Sequence, residues 1–144
     1  MYTKRVMEEF ESPKHVGIIK NANAVGKVGN AVCGDIMKIY LRINENNIIE
    51  DAGFKTFGCA AAIASTSIAT NLLIGKTIEE ALKIKNSEII EILGGLPPHK
   101  IHCSVLAEEA ISAAIEDFYK RKEKAAKKAE AEKEEAIETS EEDE

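Results

Sequence analysis

Tryptophan is missing and aromatic residues make up only 5% of the 144-residue chain, so its core has to be aliphatic. Hydrophobic residues still reach 44%, and the length suits one domain with a core of its own. Long apolar runs are absent too. The longest, 59–64, is far too short to span a bilayer. The first ten residues contain no apolar stretch of the kind a secretory leader needs. No basic stripe interleaved with aromatics occurs, and the net charge is -6, which argues against nucleic acid as a partner. The expected setting is the cytoplasm, with no membrane partner.

Cysteine is scarce and odd in number: Cys33, Cys59 and Cys103. Secreted disulfide frameworks carry even numbers in shorter chains, and a reducing compartment keeps thiols as thiols. There is no C-x-x-C, which disfavours a structural zinc ribbon. The close four-cysteine runs of a ferredoxin are absent as well. A single thiol in such a chain is most often a small buried hydrophobe, so each cysteine has to be judged by its neighbours.

What is present reads as an α+β domain. Val6 and Phe10, four apart, suggest a short amphipathic helix over 3–10. Residues 12–30 are rich in Gly, Asn and Lys and read as a loop with a short strand near 24–28. Residues 36–43 alternate, with Met37, Ile39, Leu41 and Ile43 on one face, which predicts a half-buried strand. The turn 44–47 returns the chain into a second strand over 48–57, with Ile48, Ala52 and Phe54 inward. Helices follow. Ala61, Ala64, Ile68 and Leu72 recur at helical spacing up to Gly75, a C-cap residue. Thr77 and Glu80 form a capping-box pattern. A third helix over 87–93 is closed by Gly94-Gly95 and Pro97-Pro98, and a long one starts near Ser104 with Ala107, Ile111, Ala114, Ile115 and Phe118 on one face. The expected architecture is a small antiparallel sheet of about three strands with helices packed on one face. Apolar periodicity stops after Tyr119. The domain is therefore expected over 1–120, and 121–144 as a charged tail, helical at first and disordered at its end.

All three cysteines stand at element boundaries. Cys59 follows Gly58 and opens a helix; Cys103 follows His102 just before the long helix; Cys33 precedes Gly34-Asp35 and the first clear strand. The first-turn amides of a helix carry partial positive charge, which favours thiolate. Cys33 and Asp35 point to the same side of an extended chain, about 7 Å apart. The candidate ligand set is Cys33, Asp35, Cys59, His102 and Cys103: three soft thiolates, one borderline nitrogen and one hard carboxylate. Such a mixed set holds a [2Fe–2S] cluster less firmly than four thiolates. Which of Asp35 and His102 completes the shell stays open. His15, in a polar loop, and His99, beside a proline pair, read as solvated side chains.

These segments resemble the IscU family and the N-terminal domain of NifU, scaffolds of iron–sulfur cluster biogenesis. The resemblance rests on Gly29-Asn-Ala-Val-Cys33-Gly-Asp35, Phe54-Lys-Thr-Phe-Gly-Cys59, Ala62-Ile-Ala-Ser65, Gly75-Lys-Thr77 and Leu96-Pro-Pro-His-Lys100-Ile-His102-Cys103-Ser104, in consistent order from about residue 3 to 120. It implies a non-enzymatic scaffold that accepts sulfur from a cysteine desulfurase, binds iron, assembles a [2Fe–2S] cluster and transfers it to carriers or apo-proteins. It implies that Cys33, Cys59, Cys103, Asp35 and His102 hold the cluster, that Lys100 supports the site, that Cys103 is a candidate persulfide acceptor, and that zinc can substitute for iron in the apo form. A ferredoxin is a further partner on this reading, and a homodimer is compatible with it. Ala60-Ala61 stand where the family commonly has Gly-Ser. His99 replaces the Val of Leu-Pro-Pro-Val-Lys, which argues against an Hsp70-type chaperone partner. The alternative is a zinc-dependent sulfurtransferase of SufU type. That group carries an insertion between its second and third cysteines and lacks the preceding His. Here 43 residues separate Cys59 from Cys103 and His102 is present.

Overall fold

The structure, a computed structural model, describes residues 2–30, 34–104 and 106–142. Side chains are described for these apart from Asn30, His102, Cys103, Ser104 and 133–142. The elements run α1 (Lys4–Glu11), β1 (Ala24–Asn30), β2 (Asp35–Ile43), β3 (Ile49–Phe57), α2 (Ala60–Leu73), α3 (Ile78–Leu82), α4 (Asn86–Ile92), α5 (Pro98–Ser104) and α6 (Ala107–Glu142).

The three strands form one antiparallel sheet in the order β1-β2-β3. Alternation in β2 buries Met37, Ile39, Leu41 and Ile43, as the pattern requires. Asn44 closes the β2–β3 turn: its side-chain oxygen accepts from the amides of Asn46 at 2.9 Å and Ile48 at 3.0 Å. Asn47 sits at φ 61°, a left-handed position that asparagine tolerates. The register slips between Arg42 and Ile43, so Ile43 faces Ile49. Ile49 is therefore the residue fully buried at this end of β3, where simple alternation favours Ile48.

α6 packs on β1 and β2, and α2 on β3. The close approach of α6 depends on Gly26. A Cβ there would lie 2.2 Å from the Ala110 carbonyl oxygen and 2.5 Å from the Ala114 nitrogen, both fixed backbone atoms. The Val25 amide adds a bond to Asp117 Oδ2 at 2.9 Å. Ala107, Ala110, Ile111, Ala114, Ile115 and Phe118 join Ile39, Leu41, Ile68 and Leu73 in one aliphatic core. Phe54, 2% exposed, is the most deeply buried ring among the described residues; truncation to Ala is expected to cost about 3–5 kcal/mol.

Two expectations need correction. Val6 is buried on α1, but Phe10 is exposed and the second buried residue is Glu9. The long helix starts at Ala107, because 98–104 form a separate helix, α5. The backbone of the charged tail is helical as far as Glu142. The capping box on α3 is formed as anticipated, with Thr77 and Glu80 bonded reciprocally.

Candidate functional site

The start of β2 and the end of β3 meet at one end of the sheet. Ile36 pairs with Phe57, so Asp35 falls beside Gly58. Asp35 is 5% exposed, an unusual state for a carboxylate. Gly58 makes room for it: a Cβ at 58 would lie 2.4 Å from Asp35 Oδ1, 2.8 Å from its Cγ and 3.1 Å from Ala62 Cβ. The carboxylate thus lies over Gly58, at the β3–α2 junction.

The next residue, Cys59, is the N-cap of α2, with extended backbone (φ −78°, ψ 175°) and a half-buried side chain. Its carbonyl accepts from the Ile63 amide at 3.2 Å, so the thiol stands at the mouth of a fourteen-residue helix. That is the placement expected from Gly58-Cys59 and the apolar run behind it.

Tyr2 completes the described cluster, and sequence reasoning missed it. It lies near enough to Cys59 and Asp35 to feel both. Its phenol is held above the ordinary tyrosine value, first by burial, then by the Cys59 charge and hydrogen bond, then by Asp35. The only local signal was a tyrosine just before Thr3, the N-cap of α1; nothing in the sequence links it to a cysteine 57 positions away.

The remaining expected ligands are located less fully. Cys33 lies outside the described residues. His102 and Cys103 belong to the backbone of α5, which packs against α2. Lys100 lies on the same short helix, half-exposed, with its amide bonded to the Pro97 carbonyl at 2.8 Å. Cys103 is next to the last residue of α5, which overturns its expected position at the start of the long helix. A helix C-terminus carries partial negative charge, so the dipole argument made for Cys103 does not apply. It applies to Cys59 alone among the described positions. No group of three His, Cys, Asp or Glu side chains that could hold a metal occurs among the described residues, since three of the five expected ligands are not described there. His15 and His99 are exposed, as anticipated.

The site end of the sheet is also apolar on its outer surface. Phe57 is 78% exposed and Val16 61%. With Ile36, Phe10 and Ile63 they line a depression of about 470 Å³ bordered by Lys38 and Lys55.

Residues 1–125 match the family described as NifU-like N terminal domain. The chain belongs to that family. Among similar NifU-like and IscU proteins is "Iron-sulfur cluster assembly scaffold protein IscU 1" of Archaeoglobus fulgidus, 53% identical over 121 residues, covering 84% of this chain and 78% of the relative. The Escherichia coli (strain K12) protein of the same name, IscU, is 48% identical over 125 residues, covering 85% of this chain and 97% of the relative. A crystal structure titled "Putative iron-sulfur cluster assembly scaffold protein for SUF system", from Fervidobacterium islandicum AW-1, superposes with a TM-score of 0.65 at 26% identity. It covers 78% of this chain and 95% of that one. The expected α+β fold with its three-stranded antiparallel sheet is present, and the solved neighbour shares it.

Proposed function

We propose that this NifU-like chain is a scaffold on which an iron–sulfur cluster is assembled as cargo and from which it is passed on. The observation that carries the reading is the buried Asp35 carboxylate, laid over Gly58 beside a half-buried thiol at a helix N-terminus. A carboxylate and a thiolate held side by side form a mixed hard and soft donor pair. Such a pair binds iron but yields to an incoming set of thiolates. On this reading Cys33, Cys59 and Cys103 are the sulfur ligands, Asp35 and His102 supply the remaining donor, and Lys100 supports them.

Sulfur arrives as a persulfide on a cysteine desulfurase. A thiolate of the scaffold attacks the outer sulfur. A new S–S bond forms, the old one breaks, and the desulfurase cysteine leaves as thiolate. Two electrons per sulfur then convert the bound persulfide to sulfide, a task suited to a ferredoxin. Cys103 is the proposed first acceptor. Lys100 lies three residues before it in the same helix, on the same face of one turn. Iron and sulfide build a [2Fe–2S] cluster, which a carrier or apo-protein removes by ligand exchange. The protein turns over no substrate alone. Zinc binds the same residues in the apo form, since a tetrahedral ion accepts Cys, His and Asp alike. Residues 121–144 are a charged tail outside the working domain, and a cytoplasmic setting keeps the thiols reduced.

The test is anaerobic reconstitution with iron, cysteine and a desulfurase, followed by absorption spectra and iron and sulfide analysis. About two irons and two sulfides per cluster are expected. Tight stoichiometric zinc with no cluster under these conditions would contradict the scaffold reading and leave the sulfurtransferase one. A short desulfurase pulse read by mass spectrometry should place the first persulfide on Cys103.

A further inference from the structure

Three lysines stand in line across the sheet. The register pairs Lys27 with Lys38 and Lys38 with Lys55, so one lysine from each strand lies directly opposite the next. Their neighbours Gly26, Met37 and Ile39 are buried on the helix side, so the lysines fall on the other face, away from α2 and α6. Lys27 and Lys55 are exposed. Lys38 is half-buried, with its amine 5.3 Å from the centre of the Tyr40 ring. No ion pair among the described residues involves any of the three. Like charges directly opposite one another destabilise a sheet, a repulsion that a bound anion would relieve. The chain carries such an anion itself. Residues 120–128 hold six basic residues and one acidic, whereas 130–144 hold nine acidic and one basic, so the rest of the chain is net positive without that last segment. Glu130, Glu134, Glu138 and Glu142 fall four apart on a backbone that is helical to Glu142, a repeat of about 6 Å. Adjacent strands lie about 4.8 Å apart, so the two rows nearly match in pitch.

We propose that this lysine row docks the acidic end of α6 from a second copy of the chain. The contact cannot form within one copy. α6 packs on the opposite face of the same sheet and runs on unbroken to Glu142, so the sheet stands between its acidic end and the row. The contact is head to tail: it joins two different surfaces, and each docked pair keeps one free row and one free acidic end. Further copies therefore add as concentration rises, and assembly does not stop at two. Lys38 and Lys55 also border the apolar depression at the site end, so a docked helix lies along its rim. A contact between exposed charges weakens with salt. Nothing in it depends on the scaffold reading.

The experiment uses the full chain, metal-free and reduced, in sedimentation velocity from about 10 μM to about 1 mM. At about 0.1 M salt the mean mass of the parent should climb past that of a dimer, and at about 1 M salt association should weaken by about tenfold or more. K27Q/K38Q/K55Q neutralises the row, and E130Q/E134Q/E138Q/E142Q neutralises its counterpart on α6. Each variant alone should stay monomeric. Mixed in equal amounts they should pair one to one and stop at two, since one supplies the intact acidic end and the other the intact row. That pairing also shows that both variants are folded. The proposal is overturned by a parent that is monomeric throughout, by association that salt leaves unchanged, by a single variant that still assembles, or by a mixture that fails to pair. A monomeric parent whose row binds poly-glutamate overturns it too, and gives the row to a different acidic partner.

Discussion

The two ends of the sheet solve opposite problems. At the hairpin end the side chains serve the backbone. Asn44 accepts from two turn amides, and Asn23 both donates to and accepts from Ile43 at 2.8 Å. At the site end the backbone serves the side chains. Gly58 gives up its Cβ so that Asp35 can lie over it, and Cys59 uses a helix N-terminus as its mount. One end spends its polar atoms on stability, and the other keeps them for chemistry. Changes at the hairpin should therefore move the thermal midpoint and leave cargo handling alone, while changes at the site end should do the reverse.

The sharpest contrast is expected from Asp35→Ala. Loss of the hard, exchangeable donor should make the cluster persist longer and slow its transfer to an apo-ferredoxin on the order of tenfold. Transfer as fast as in the parent would sink the assignment; a fall in midpoint at unchanged rate would reduce Asp35 to a turn residue. Gly58→Ala should reproduce this in weaker form. Its Cβ collides mainly with the end of a side chain, so the carboxylate moves and the fold survives. Transfer should slow a few-fold with at most about 1 kcal/mol lost in urea unfolding. At the other end, Asn44→Ala should cost about 1–2 kcal/mol through two lost amide partners, with transfer kinetics unchanged. The smallest effect is expected at Glu80, exposed on α3 beside the hairpin turn, where the Ile78 amide bonds the Asn47 carbonyl. Its carboxyl is held below the usual carboxylate range by its bond from the Thr77 amide, with the Thr77 hydroxyl helping. A lowered folded pKa means the contribution is complete above the unfolded value and fades as pH falls through the folded one. The urea midpoint of the parent should therefore drop slightly more below pH 4.5 than that of Glu80→Gln; equal slopes would show that the capping box contributes nothing.

Most of the fold could be read from local pattern, because its signals are local. Period-two alternation over 36–43, the asparagine turn and the Thr77–Glu80 box each need only neighbours in sequence, and each is present. The register slip at Ile43 and the separate helix α5 were not legible, since both depend on pairing and packing across the fold. The site divided in the same way. Cys59 announced itself by Gly58 before it and an apolar helix after it. Asp35 was drawn in by its spacing from Cys33, but its burial against Gly58 is a cross-strand fact. Thr3 and Glu9 anchor α1 to distant parts of the fold, and no period in the sequence encodes those contacts.

Helix α6 has a consequence of a different kind. Its first three turns are cemented to the sheet through Gly26, Ala110 and Ala114. From Tyr119 onward it is exposed wherever its side chains are described, and it continues to Glu142. At 1.5 Å per residue this is a boom of about 35 Å. A domain carrying such a boom tumbles unequally about its long and short axes. Amide vectors along α6 should therefore report slower rotational diffusion than those lying across it, and a fluorophore at the far end would sweep a wide radius without touching Asp35 or Cys59.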